Sequence, residues 1–127
     1  MLIDLERRDA PLHSLFSLYD DGEVFGIASI TASEILVGAL RADPNRQAAR
    51  SRFVEDVLEV IPVIALDLSV ARVHARIGRE ISARGDTVGA YDLIIAATAI
   101  QMDYALATFN LREFRQVPGL RVEQPPW

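Results

Sequence analysis

The chain has no cysteine, no lysine and no uninterrupted apolar run long enough to cross a bilayer. Without cysteine there are no disulfides and no thiolate metal sites. Without lysine, all 13 cationic side chains are arginine. Guanidinium forks suit bidentate phosphate contacts, but the codon bias of a GC-rich genome accounts for the pattern as well and is preferred. Apolar runs stop short of the ~18 residues of a membrane span, and no charged-then-apolar leader opens the chain. A cytoplasmic protein is expected. Positive charge is in short supply too: the net charge is −5. That argues mildly against a protein holding nucleic acid by bulk electrostatics, and it leaves a nuclease open. Repeats and low-complexity segments are absent.

What is present is one domain's worth of alternating patterns. A chain of 127 residues folds as a single domain burying about two thirds of its unfolded surface, here residues 1–127. Leu12, Leu15, Phe16 and Tyr19 recur at helical spacing behind Pro11, which predicts an amphipathic helix over Pro11–Tyr19. Val24–Ile30 is a continuous apolar or small run, as in a strand covered on both faces. A helix follows from Thr31, a second spans Pro44–Val60, and Pro62–Leu66 is a strand candidate. Asp67 or Ser69 caps a helix whose core stripe is Val70, Val73, Ile77 and Ile81, and Arg84–Thr87 is a turn. A mostly apolar helix begins after Gly89, a short strand runs through Tyr104–Ala107, residues 112–115 form a helical turn, and residues 117–122 lead into an edge strand. Strands alternating with helices predict a three-layer α/β/α sandwich with a central parallel sheet. His13 and His74 lack metal-ligand spacing and are read as ordinary.

Two acids stand where this alternation brings strand ends and helix starts to one edge, the edge at which α/β folds bind ligands. Asp92 follows Gly89 at the mouth of the apolar helix. It reads either as an N-cap or as a functional carboxylate. Glu34 completes Thr31-x-x-Glu34, which taken alone is a capping box. At the same edge, Thr108 and Asn110 follow the short strand.

The stretch Gly89-x-x-Asp92-x-x-Ile95-Ala96-Ala97-Thr98-Ala99, then Leu106-x-Thr108-x-Asn110-x-x-x-Phe114, then Val117-Pro118-Gly119-Leu120-x-Val122, resembles the C-terminal half of a PIN-domain ribonuclease of the VapC toxin type. Ser29-Ile30-Thr31-x-x-Glu34-Ile35-x-x-Gly38 is similar to that family's second acidic segment. The resemblance implies a PIN-like fold and an endoribonuclease cutting structured RNA, such as transfer or ribosomal RNA. It implies a VapB-type antitoxin as partner, and a homodimer. Asp92, Glu34 and Asn110 are implied to hold Mg²⁺ or Mn²⁺, with Thr108 orienting the cluster. An all-oxygen donor set suits such hard ions. The family's first strand ends in Asp-Thr/Ser, and the alignment puts Met1 after that pair. The first strand and its acid are therefore expected to be missing or to lie upstream of residue 1, with Asp4 a polar residue in a solvated helix. A chain lacking that acid has an alternative reading, a PIN-like protein that binds an antitoxin without cutting RNA. A phosphatase or receiver domain would need an acidic pair after its first strand and a phosphate-accepting Asp on a central one, and neither is found.

Overall fold

A computed structural model describes residues 1–5 and 22–125. Five short strands, β1 (Leu2–Ile3), β2 (Ile27–Ala28), β3 (Val63–Ile64), β4 (Leu106–Ala107) and β5 (Val122–Glu123), all pair in parallel. The pairings run β1-β4-β5 and β2-β3, and a parallel bridge between Leu2 and Gly26 joins the two groups. The resulting order, β3-β2-β1-β4-β5, reverses direction at β1. Parallel neighbours require crossover connections, and after β2 these contain the helices α1 (Ser29–Leu40), α2 (Pro44–Val60), α3 (Leu68–Ala83), α4 (Ala90–Met102) and the single turn α5 (Leu111–Phe114). No helix among the described residues is long and apolar enough to cross a membrane.

Side-chain alternation along β1 sorts the core into two layers. Leu2 packs with Ile77, Ile95 and Phe114. Ile3 packs with Phe25, Ile27 and Val57 on the other side. Successive strand residues face opposite ways, so the sheet is covered on both faces, as a parallel sheet must be. The three-layer α/β architecture expected from the sequence is the one observed.

Several local expectations change. The strand placed upstream of residue 1 is formed by Leu2–Ile3 at the centre of the sheet: Leu2 N–H donates to Ala105 O at 2.8 Å, Ile3 N–H to Gly26 O at 2.9 Å and Asp4 N–H to Ala107 O at 2.9 Å. Asp4 is accordingly a buried residue at a strand end, not a polar residue in a solvated helix. The run Val24–Ile30 pairs as a strand only over Ile27–Ala28, because α1 begins at Ser29, two residues before the expected cap. Pro44–Val60 is a helix over its full expected length. Asp67 caps α3, its Oδ1 accepting from Val70 N–H at 2.9 Å. The helix expected over Pro11–Tyr19, with Leu12, Leu15, Phe16, Tyr19 and His13, lies outside the described residues.

Candidate active site

The reversal of strand order between β1 and β4 opens a crevice at their C-terminal ends, the usual ligand position in open α/β sheets. Asp4 leaves β1 there and Thr108 leaves β4. Both are buried, and the Thr108 hydroxyl donates to Asp4 Oδ2 at 2.8 Å. The same hydroxyl oxygen accepts from Asn110 N–H at 3.0 Å, so one threonine ties two strand ends and the following loop together.

α4 brings Asp92 to this edge. Gly89 is the N-cap residue and no side chain of the helix's own caps it, so Asp92 sits in the first turn without serving as the cap. Glu34 lies in the second turn of α1, the fifth residue after its first, and no capping box forms because Ala28 is the N-cap with no side-chain cap bond. The capping alternatives open at both acids are therefore not taken.

A fourth carboxylate completes the arrangement. Glu113 in α5 accepts from Gly89 N–H at 2.7 Å and from Asn110 Nδ2 at 2.8 Å. Sequence reasoning missed it. Its signal was Asn110-x-x-Glu113, a spacing that turns a glutamate back toward the start of its own helical turn, and so toward the edge already holding Asp92.

Electrostatics mark the cluster. Burial raises the Asp92 carboxyl from 3.8 to about 7, helped by a hydrogen bond to Glu113 and by the like charges of Glu113, Asp4 and Glu34. Glu113 moves the other way: the Gly89 N–H holds it below its ordinary value, with hydrogen bonds from Asp92 and Asn110 adding to the effect. Below about pH 7 the pair therefore keeps a proton on Asp92, shared with an ionised Glu113. The structure thus brings together Asp92, Thr108 and Asn110, places Glu34 within electrostatic reach, and adds Asp4 and Glu113. Among the described residues, no three acidic or histidine side chains are gathered closely enough to form a ready-made metal cage.

The PIN-domain family model matches residues 1–120. The chain belongs to the PIN-domain family. Within it, the chain is 33% identical over 101 residues to the protein named Ribonuclease VapC of Rickettsia bellii, covering 79% of this chain and 75% of that one. It is 36% identical over 98 residues to the protein named tRNA(fMet)-specific endonuclease VapC of Salmonella typhimurium, covering 76% and 72%. Among solved structures, the DNA-bound VapBC of Salmonella typhimurium superposes with a TM-score of 0.84 at 27% identity, covering 97% of this chain and 96% of that one. The PIN domain described here is thus of the VapC type, and its acids occupy the reversal point of a PIN sheet.

Proposed function

We propose that this PIN domain is a metal-dependent endoribonuclease toxin, cutting structured RNA and silenced by a VapB-type antitoxin. The observation that carries the reading is the Asp92 carboxyl raised to about 7 by burial and by three neighbouring acids. Four carboxyl groups concentrated at one crevice repel one another at neutral pH, and a cation relieves that repulsion. The donors are all oxygen, which fits Mg²⁺ or Mn²⁺. Mg²⁺ in particular binds through one or two carboxylates plus water and substrate phosphate, so it does not need a closed three-ligand cage. Asp92, Asp4 and Glu34 would hold the ion, with Asn110 beside them. A divalent ion there supplies charge stabilisation for a phosphodiester undergoing attack and an activated water.

The chain's own residues do the rest. Thr108 fixes one oxygen of Asp4 at the end of β1. A cation bound there would favour the ionised form of Asp92. Transfer RNA is the favoured substrate, since relatives are named for an initiator transfer RNA, and the structural neighbours that are VapBC complexes support an antitoxin partner. The reading as an antitoxin-binding protein that does not cut rested on a missing first acid, and Asp4 at the end of β1 removes that reason. Exposed Val37 and Leu40 on α1 support a homodimer, which light scattering at micromolar concentration would read as twice the chain mass.

The test is Asp92→Asn. Mn²⁺ titration should show binding lost, cleavage of initiator transfer RNA should cease, and the metal-free variant should be at least as stable as the parent because a half-buried, crowded carboxylate is gone. Unchanged Mn²⁺ affinity would refute the assignment.

A further inference from the structure

We propose that Tyr91 and Phe109 are stacking platforms beside the acids, holding unpaired RNA bases next to the bond that is cut. This rests on the endoribonuclease reading above and names how the substrate strand is held there.

Charge gives the strand little help. The chain carries a net charge of −5, and Asp4, Glu34 and Glu113 all stand close enough to Asp92 to raise its carboxyl. Phosphate attraction, which supplies most of the affinity of basic nucleic-acid binders, is therefore weak at this edge. Base stacking has no such dependence, because every base offers a π face to an aromatic ring.

Three aromatic side chains are exposed among the described residues: Phe53, Tyr91 and Phe109. Phe53 lies in α2, and the other two adjoin the site. Tyr91, 55% exposed, immediately precedes Asp92 in the first turn of α4. Phe109, 46% exposed, stands between the buried Thr108 and the half-buried Asn110. All described peptide bonds are trans, so each aromatic Cα is about 3.8 Å from the Cα of its neighbour in the site. One carboxylate, Glu113, accepts from both Gly89 N–H and Asn110 Nδ2, which keeps the start of α4 and the loop after β4 together. Tyr91 and Phe109 thus belong to the rim of one crevice. Single exposed aliphatic side chains are ordinary on a protein surface. Two aromatic ones, each the chain neighbour of a site residue, leave in water apolar area that a stacked base would cover. Bases free to stack in this way occur in the loops of a structured RNA, not in its paired stems.

Tyr91→Ala and Phe109→Ala each remove a ring, whereas Tyr91→Phe and Phe109→Trp keep a π face. Two readouts decide: kcat and KM on initiator transfer RNA with Mn²⁺, and titration in EDTA of a short single-stranded RNA containing 2-aminopurine, whose fluorescence falls when the base stacks. Each alanine variant should raise KM about tenfold or more with kcat within about threefold of the parent, as loss of uniform binding does. Binding of the 2-aminopurine RNA should weaken alongside with its salt dependence unchanged, since no phosphate contact is lost. Quenching should vanish in the double alanine variant and persist in Tyr91→Phe and Phe109→Trp. RNA affinity and quenching retained in the double alanine variant would overturn the proposal and leave the two rings to a protein partner such as the antitoxin. A fall in kcat with KM unchanged would overturn it too, by showing that the rings shape the acids instead of holding the strand. Should an alanine variant unfold, Tyr91→Leu and Phe109→Leu, which keep apolar volume without a π face, give the same comparison. If the parent cuts no RNA, the endoribonuclease reading fails by itself, and the 2-aminopurine titration still decides the stacking.

Discussion

Thr108 shows how much one buried hydroxyl can organise. It donates to Asp4 Oδ2 and accepts from Asn110 N–H, so Thr108→Val removes two hydrogen bonds at a buried position. The expected cost is about 1–3 kcal/mol, read as a lower midpoint in urea denaturation. Thr108→Ser, which keeps the hydroxyl, should lose much less. Thr108 was singled out through the family resemblance, and its partner Asp4 was set aside because the alignment put the family's first acid upstream of Met1; Leu2-Ile3-Asp4 is also too short a run to show a strand by periodicity. Only the pairing of Leu2 and Ile3 with both neighbours makes it one. The contact of Glu113 with Asn110 has a local signal in Asn110-x-x-Glu113, whereas its contact with Gly89, 24 positions away, has none.

Helices and strands were legible to different degrees. α2 and α3 follow from a proline in the first turn, an aspartate cap and apolar spacing, which act within a few residues. The strands are two residues each, so their limits depend on where a neighbour offers hydrogen bonds. β2 illustrates it, since Gly26 precedes it at a tight approach to β3. A Cβ on Gly26 would stand 3.0 Å from Pro62 O and 3.1 Å from the Ile64 side chain. Gly26→Ala should push β2 from β3 and destabilise the domain by about 1–3 kcal/mol, as overpacking does. Thermal melting would register it, and a melting point equal to the parent's would show that the two strands can separate without cost.

Across the domain, the acidic crevice should set the response to pH. Asp92 titrates near 7 in the folded protein and near 3.8 otherwise, so between those values the folded state binds the extra proton. Its contribution is fully present below about pH 4 and is lost as pH rises through 7, an effect of about 2 kcal/mol once screening at a half-exposed site is allowed for. Glu113, held low, acts in the opposite sense, but only as pH falls below the ordinary carboxylate range. The metal-free protein should therefore melt higher at pH 5 than at pH 8. Mn²⁺ should raise the melting temperature far more at pH 8, where it meets ionised Asp92, than at pH 5. Equal Mn²⁺ shifts at both values would count against the cluster as the ion's seat.

The amino-acid pattern alone determined the alternation of strands and helices and the two-sided burial of the sheet, features of side-chain period, caps and turns that act over a few residues. The candidacy of Asp92, Glu34, Thr108 and Asn110 came from the resemblance of their motifs to those of PIN-domain ribonucleases. Tertiary structure decided that Asp4 ends a central strand, that neither Asp92 nor Glu34 is a helix cap, and that Glu113 closes the crevice. Each of those depends on hydrogen bonds between segments tens of residues apart, and on the reversal of strand order that makes distant chain ends neighbours.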